Sequence, residues 1–409
     1  MTTTSFLIVG ASLAGAKAAE ALRTAGYDGR LTLIGAESSL PYERPPLSKG
    51  FLLGKTQHDE TLVHPESWYA EQQVDLRLNT VVTDIDRPGR AVVTATGERI
   101  GYDKLLLTTG ATPRPLPVPG GETAVYLRTI EDSERLRELL TAGAKVVVVG
   151  GGWIGMETAA AARSHDCEVT VIEPQPTPLH AVLGSELGEV FARVHRDNGV
   201  HLRLGTSVTE IRDHAVVTSA GDVLPADVVI AGIGAQPATG LAERAGLTVD
   251  NGIVVDATLH SSDDDVFAAG DVANAWHPRV EEHVRVEHWA NALNQGLAAG
   301  ASMLGDAQPY DRVPYFFTDQ FSLGMEYSGY VSRHGYDEVV YRGDPESGEF
   351  IAFWLRQSRV LAGMNVNVWD VTDPIQALVR AGWGGQTVDR SLLADPAVAL
   401  SDALQPASR

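Results

Sequence analysis

Two stretches of the chain share one pattern of apolar and polar positions. Each begins with a short apolar run, continues through a glycine-rich turn and an alanine-rich segment, and ends with a second apolar run followed by an acid. The first stretch covers residues 5–37 and the second covers residues 145–173. Continuous apolar runs of this length, rich in β-branched residues, are typical of parallel strands buried on both faces. Each stretch therefore predicts a strand–helix–strand unit.

The second stretch contains G-x-G-x-x-G as Gly150, Gly152 and Gly155. In this spacing the first glycine permits a tight turn, the second lets the backbone approach a pyrophosphate, and the third lets the helix pack on the strand. The N-terminus of the helix then offers free N–H groups to the phosphates. Glu173 ends the second strand, where a carboxylate can bind a ribose 2′-hydroxyl and would repel the 2′-phosphate of NADPH. This half is predicted to prefer NADH.

The first stretch keeps Gly10 and Gly15, but Ser12 replaces the middle glycine. Serine is small, so we expect that a pyrophosphate can still approach the turn. Ala36 and Glu37 follow the second strand near the expected ribose position, and Glu37 supplies the carboxylate. The sequence therefore predicts two dinucleotide sites in one chain, an arrangement suited to moving a hydride between them.

The order of elements repeats along the chain. Each half reads as a strand–helix–strand unit, a helix, a meander and an apolar strand ending in glycine, which indicates an internal duplication at roughly 140 residues. In the second half, residues 190–198 predict the helix. After residue 314 the composition becomes aromatic and strand-rich. The predicted fold is α/β, with two Rossmann-like domains, residues 1–112 with 246–314 and residues 113–245, followed by an α+β domain, residues 315–409.

Composition limits the possible partners. The net charge is −21, from 32 basic and 53 acidic residues, so nucleic acid and anionic membranes are expected to be poor partners. No apolar run approaches the about 18 residues of a membrane span, and the N-terminus does not resemble a secretion signal. A cytoplasmic location is expected. The one cysteine, Cys167, allows no intramolecular disulphide and no C-x-x-C redox pair.

A proline-rich segment, LPYERPPLSK, carries Arg44 and Lys49. Its paired prolines favour an extended path, and Ser48 is predicted to cap a short helix that carries Lys49. A surface loop would explain the same residues. Glu157 is predicted to lie in the first turn of the second nucleotide helix, where the helix dipole favours an acid whatever its function.

These motifs together resemble the ferredoxin reductases of oxygenase systems, within the glutathione reductase-like flavoproteins. The resemblance covers essentially the whole chain. Apoptosis-inducing factor and rubredoxin reductase are more distant members of the same group. The matching pieces are GASLAG with LPYERPPLSK, TTGATPRP, VVVVGGGWIGMETA, ADVVIAGIGAQP, VFAAGDVA, EHWANALNQG and PYFFTDQF.

The resemblance implies a site for each cofactor. The residues implied for FAD are Gly10, Ser12, Leu13, Ala14, Gly15, Ala36, Glu37, Arg44, Lys49, Val82, Thr109, Gly110, Arg128, Asp271 and Trp289. The residues implied for NADH are Gly150, Gly152, Ile154, Gly155, Glu173 and Gly234. No metal is implied. The resemblance also pairs Lys49 with Glu157 beside the flavin N5 as the catalytic groups.

The implied activity is hydride transfer from NADH to FAD, followed by one-electron transfer to a [2Fe-2S] or [3Fe-4S] ferredoxin. That ferredoxin would feed a cytochrome P450 or a Rieske oxygenase, and the reductase would be a monomer or weak dimer. Disulphide-reducing relatives need cysteine in the segment that here reads YERPPLSKGFLLGK, so thiol chemistry is excluded.

Two features depart from the family pattern or conflict with it. Phe317 stands where the family often has tryptophan, and an acidic ferredoxin would need a local basic patch, for which the candidates are Arg312, Arg333, His334 and Arg359. Two other functions remain open: a rubredoxin reductase or diaphorase with another acceptor, and a slowly reoxidised NADH sensor resembling apoptosis-inducing factor.

Overall fold

The structure, a computed structural model, describes residues 4–332 and 334–405. It divides into two compact units. The first contains the described residues up to Glu43 together with His58–Thr112 and Gln236–Pro314. The second contains Arg44–Gln57, Pro113–Ala235 and the described residues from Tyr315 onward.

Most helices connect one strand to the next, and the last two follow the final strand. In chain order they are α1 (Leu13–Thr24), α2 (Glu66–Glu71), α3 (Ile130–Leu139), α4 (Trp153–Ser164), α5 (His180–Asp197), α6 (Gly240–Arg244), α7 (Trp289–Met303), α8 (Thr372–Trp383) and α9 (Arg390–Ala394). Single 3₁₀ turns occur at Pro45–Ser48, His58–Thr61, Gly121–Thr123, Gly270–Val272 and Leu400–Ala403.

The strands follow the repeated order predicted from the sequence. The first-half strands are β1 (Ser5–Val9), β2 (Arg30–Ile34), β3 (Val74–Arg77), β4 (Val82–Asp86), β5 (Ala91–Thr94), β6 (Arg99–Gly101), β7 (Lys104–Leu107) and β8 (Ala111–Pro113). The middle strands are β9 (Lys145–Val149), β10 (Glu168–Glu173), β11 (His201–Leu204), β12 (Val208–Arg212), β13 (Ala215–Thr218), β14 (Val223–Pro225), β15 (Val228–Ala231) and β16 (Ala235–Pro237). The remaining strands are β17 (Ile253–Val255), β18 (Val266–Ala268), β19 (Ala273–His277), β20 (Glu282–Val284), β21 (Tyr315–Gln320), β22 (Leu323–Gly329), β23 (Glu338–Asp344), β24 (Glu349–Arg356) and β25 (Arg359–Val366).

The first unit is built on a parallel sheet with strand order β18-β7-β1-β2-β3. Its apolar strands are almost fully buried, as expected for a sheet covered on both faces. Helix α1 packs closely on α7 because small residues meet: a side chain at Gly296 would overlap the Ala14 carbonyl. This packing fixes the helix whose N-terminus follows the first glycine-rich turn.

The second unit repeats that plan. Its parallel sheet has the order β15-β9-β10-β11, which matches β7-β1-β2-β3 strand for strand. An antiparallel meander also follows in each copy, β4-β5-β6 and β12-β13-β14. The predicted α/β fold and the predicted duplication are both confirmed.

The last part of the second unit is an antiparallel sheet with the order β21-β22-β25-β24-β23. Its aromatic core, which includes Phe316, Tyr327 and Trp354, packs with apolar residues of α5 such as Leu183 and Phe191. The prediction of an aromatic α+β region after residue 314 is confirmed. The packing also sets β21 beside the helices that follow the second nucleotide turn.

One helix is longer than the sequence analysis predicts. The prediction placed a helix at residues 190–198, whereas α5 runs from His180 to Asp197 and contains a kink at Gly184, whose φ is +80°. The two glycines at positions 184 and 188 hide the helical pattern in the sequence. Burial of Leu183, Leu187 and Phe191 on one face extends the helix despite them.

Among the described residues, no helix is both long and apolar enough to cross a membrane.

Candidate functional site

The second glycine-rich turn joins β9 to α4. Gly150 has φ of +105°, a conformation that glycine adopts without strain. A β-carbon on Gly155 would overlap the carbonyl oxygen of Gly150, so this position must be glycine for the helix to start where it does. At Gly152 the nearest atom to such a β-carbon is the Gly232 carbonyl oxygen, 3.8 Å away. The fold itself therefore does not require glycine at position 152, but close approach of a pyrophosphate does.

Glu173 lies at this turn as predicted from the sequence. Its Oε2 accepts a hydrogen bond from the Gly151 backbone N–H at 2.6 Å, and its Oε1 accepts one from the Gln175 N–H at 2.8 Å. A carboxylate has about four lone-pair positions, so acceptor capacity remains for a ribose hydroxyl. The side chain of Ile154, in the first turn of α4, is 43% exposed, and Gly234 has φ of +102°.

The first glycine-rich turn has the same geometry. Gly10 has φ of +120°, and a β-carbon on Gly15 would overlap the Gly10 carbonyl oxygen. The Thr108 hydroxyl donates to that carbonyl oxygen at 2.8 Å, which fixes the turn. Ser12 is the N-cap of α1, and its side chain makes no capping hydrogen bond. Leu13 and Ala14 form the buried first residues of the helix.

The acid of the first copy is held differently. Glu37 lies three residues beyond the end of β2, and its Oε2 accepts a hydrogen bond from the Tyr42 hydroxyl at 2.5 Å. Ala36, beside it, is exposed. The two acids thus occupy corresponding ends of their parallel sheets.

The remaining predicted FAD residues of the first unit occupy three places. Asp271 lies in a 3₁₀ turn beside Gly270, where a β-carbon would lie 3.2 Å from that of Ala14 in α1. Thr109 and Gly110 follow β7, and the Thr109 hydroxyl donates to the Ala238 carbonyl at 2.9 Å. The others start secondary-structure elements: Val82 begins β4 and Trp289 begins α7.

The strongest cluster of polar groups surrounds Glu157. Its side chain is 5% exposed, and its Oε1 lies 2.8 Å from the Lys49 ammonium. The Thr318 hydroxyl donates to the same oxygen at 2.5 Å, and the Ser48 hydroxyl donates to Oε2. The Lys49 Nζ also lies 5.5 Å from the centroid of the Phe317 ring. A buried carboxylate is stable only with such compensation.

Two local predictions about this cluster are wrong. Ser48 does not cap a helix that carries Lys49: it ends the 3₁₀ turn Pro45–Ser48, and Lys49 follows that turn. Glu157 is in the second turn of α4, and the first turn contains no acid. The helix dipole therefore does not account for Glu157, since its effect falls off within the first turn.

The proline-rich segment is anchored to the same unit. The Ser133 hydroxyl in α3 donates to the Leu47 carbonyl at 2.7 Å, and Arg137 lies over the Phe51 ring. Arg44 donates to the Arg128 carbonyl oxygen, so these two predicted residues are in contact. A surface loop without fixed partners is excluded by these contacts.

Two of the groups that hold Glu157 were not predicted from the sequence. Thr318 lies inside the motif PYFFTDQF, and Ser48 lies beside Lys49, but neither was expected to bind the carboxylate. The alternation of β21 was the available signal, because it turns residues 316, 318 and 320 to the buried face.

Thiol chemistry has no support in the structure. Cys167 is fully buried, and its Sγ donates to the Thr141 carbonyl at 3.3 Å. Burial raises the pKa of the thiol, which disfavours the reactive thiolate. Within the described residues, no group of histidine, cysteine and acidic side chains could hold a metal ion.

The structure thus combines two glycine-rich turns, an acid at or just beyond the second strand of each copy, and a buried acid–lysine pair. This combination is typical of oxidoreductases that use two dinucleotides. The chain belongs to the pyridine nucleotide-disulphide oxidoreductase family, whose model matches residues 4–296. A second model, the reductase C-terminal domain, matches residues 315–404.

Individual relatives agree with that assignment. The ferredoxin–NAD(+) reductase component of the anthranilate 1,2-dioxygenase system of Burkholderia cepacia is 40% identical over 408 residues, which cover 98% of this chain and 99% of the relative. Putidaredoxin reductase of Pseudomonas putida is 37% identical over 373 residues, with 88% of each chain covered. The crystal structure of a covalent putidaredoxin reductase–putidaredoxin complex matches with a TM-score of 0.92 at 35% identity, over 98% of both chains. The resemblance found in the sequence is therefore confirmed.

The second turn predicts opposite outcomes for two glycine-to-alanine changes. Gly155→Ala should reduce the yield of folded protein or lower its melting temperature by several degrees, because the new methyl group overlaps the Gly150 carbonyl. Gly152→Ala should leave the melting temperature nearly unchanged and weaken NADH binding about tenfold or more, because only the ligand needs that space. Thermal unfolding and NADH titration of both variants check this, and equal loss of stability in the two would contradict it.

Proposed function

We propose that the chain is an FAD-containing NADH:ferredoxin reductase. It takes a hydride from NADH and delivers electrons one at a time to a [2Fe-2S] or [3Fe-4S] ferredoxin, which serves a cytochrome P450 or a Rieske-type oxygenase. This proposal rests above all on the buried pair of Glu157 and Lys49. Glu157 lies on α4, which follows the second glycine-rich turn, and Lys49 ends the proline-rich segment. The ferredoxin reductases named above, which match nearly the full chain, support the choice of acceptor.

The residues present fit both cofactors. Each unit has a glycine-rich turn with a small residue at its middle position, Ser12 in the first and Gly152 in the second. At position 152 the local fold does not itself require glycine. Each unit also has an acid at the end of the second strand or just after it. We therefore retain the predicted FAD residues, which lie in residues 1–112 and 246–314 except for Arg128, and the predicted NADH residues in residues 113–245. Residues 315–409 form the proposed third domain.

FAD, when bound, supplies the chemistry that accepts a hydride and releases single electrons. The chain supplies orientation and charge. Glu157 fixes the position of the Lys49 ammonium, and Lys49 would supply positive charge beside the FAD group that accepts the hydride. The hydroxyl groups of Ser48 and Thr318 keep the carboxylate oriented, so the pair needs little reorganisation during the reaction.

The proposed acceptor surface for an acidic ferredoxin is a basic patch. Arg312, His334 and Arg359 are exposed, and Arg333 lies outside the described residues. Phe317, in place of tryptophan, lies over the Lys49 ammonium, a contact that any aromatic ring can make. We propose that the protein is a monomer or weak dimer. We also propose a cytoplasmic location, where NADH is generated.

Ferredoxin dependence tests the function directly. NADH-driven cytochrome c reduction should rise severalfold and saturate when one ferredoxin from the source organism is added, because the ferredoxin carries single electrons to cytochrome c. The Cys167→Ala variant should show the same stimulation, since no thiol takes part. Fast flavin bleaching by NADH without stimulation by any ferredoxin would instead favour a diaphorase or an NADH sensor.

Nucleotide preference tests the role of Glu173. Glu173→Gln removes the charge that repels a 2′-phosphate, so the ratio of kcat/KM for NADH to that for NADPH should fall about tenfold. Glu168→Gln, at the exposed opposite end of β10, is the matched control and should leave that ratio unchanged. An unaltered preference in Glu173→Gln would show that another residue selects the nucleotide.

A further inference from the structure

A row of buried polar side chains extends from Glu157 away from Lys49. Thr318 and Gln320 lie on the buried face of β21, and His195 lies on α5; none of the three is more than 1% exposed. Thr318 contacts Glu157, Gln320 contacts Thr318, and His195 contacts Gln320. Polar groups with this degree of burial are costly unless each hydrogen bond is made.

The direction of every hydrogen bond in this row follows from its first member. The Glu157 carboxylate, paired with Lys49, can only accept, so the Thr318 hydroxyl donates to it at 2.5 Å. Thr318 has then used its one proton and must accept from the Gln320 Nε2 at 3.1 Å. The Gln320 carbonyl oxygen therefore points to His195, 2.9 Å from Nε2, and Nε2 must carry the imidazole proton.

We propose that Thr318, Gln320 and His195 are positioning residues that form a one-way chain of hydrogen bonds, with each donor directed toward the Glu157 carboxylate. The chain holds Oε1 in the place where it meets the Lys49 ammonium. This inference rests on the proposed function, because the hydrogen-bond chain is proposed to position the acid–lysine pair that acts in that reaction.

The alternative tautomer of His195 is disfavoured on two counts. With the proton on Nδ1, the Nε2 lone pair would face the lone pairs of the Gln320 oxygen. Nδ1 also has no hydrogen-bond partner among the described residues, so its N–H would be buried and unsatisfied. Burial lowers the pKa of His195 to about 4, so the imidazole is neutral near pH 7 and carries a single proton.

Packing keeps the end of the row in place. The His195 ring meets the Phe321 ring edge-on, with 5.0 Å between centroids.

The charged groups near the Glu157 carboxylate are Lys49 and Asp319, the latter on the exposed face of β21. Asp319 carries like charge, which adds to the need for donors at Glu157.

The first test reads the proton position without any turnover. The intact FAD-loaded protein, labelled with ¹⁵N-histidine, is examined at pH 7 by two-bond ¹H–¹⁵N correlation, and the His195 signals are assigned by their loss in His195→Gln. We expect a neutral ring protonated at Nε2. A ring protonated at Nδ1, or at both nitrogens, would overturn the proposed direction of the chain.

The second test reads the consequence for the reaction. Anaerobic stopped-flow bleaching of the flavin by NADH should show the limiting rate in Thr318→Val reduced about tenfold, with the NADH dissociation constant within twofold of the wild type, because a donor to a charged group is lost. Gln320→Met should act in the same direction. Thr318→Ser restores the hydroxyl and should recover most of the rate.

The outcomes separate this inference from the function on which it rests. If Glu157→Gln slows bleaching but Thr318→Val and Gln320→Met do not, the chain is not a positioning device although the acid–lysine pair is catalytic. If Thr318→Ser is as slow as Thr318→Val, the loss is one of packing and the inference is again wrong. The ferredoxin assay with unmodified protein judges the overall function independently of these variants.

Discussion

A carboxylate buried without partners costs several kcal/mol, and this constraint explains much of the second unit. Glu157 is compensated by groups from two other stretches of chain: Lys49 and Ser48 from the proline-rich segment, and Thr318 from β21. Loss of any one leaves the charge incompletely paired, so the proline-rich segment, α4 and the C-terminal sheet must adopt their positions together. The hydrogen bond from the Ser133 hydroxyl to the Leu47 carbonyl helps to hold the proline-rich segment beside Glu157.

The two strand–helix–strand units depend on glycine in the same way. In both, a glycine with positive φ makes the turn, and another glycine lets the helix approach it closely. The copies differ at two places: Ser12 stands where the second copy has Gly152, and their acids, Glu37 and Glu173, have different hydrogen-bond partners. The two copies thus differ at the turn and at the acid while keeping the same fold.

The sequence predicts those parts of the molecule that depend on local pattern. Apolar runs and glycine spacing gave both parallel sheets, because burial on two faces and close backbone approach restrict residue type at each position. The resemblance to known reductases gave the pairing of Lys49 with Glu157. The full length of α5 was not predicted, because glycines 184 and 188 interrupt a pattern that only tertiary packing restores.

Contacts between distant segments were the least predictable. Nothing near Ser48 indicates that its hydroxyl binds a carboxylate more than a hundred positions away, and Gln320 and His195 are unremarkable in sequence. Such polar contacts depend on side-chain direction within the folded unit, which hydrophobic periodicity does not specify. These contacts nevertheless connect the strand β21 and the helix α5 to the buried pair of Glu157 and Lys49.

In the proposed function, the buried carboxylate of Glu157 serves hydride transfer by holding Lys49. The most direct measurement is the limiting rate of flavin reduction when the FAD-loaded protein is mixed anaerobically with saturating NADH, compared between the wild type and Glu157→Gln. We expect a limiting rate at least about tenfold lower in the variant, with NADH affinity and flavin content preserved. An unchanged limiting rate in a fully loaded variant would contradict it.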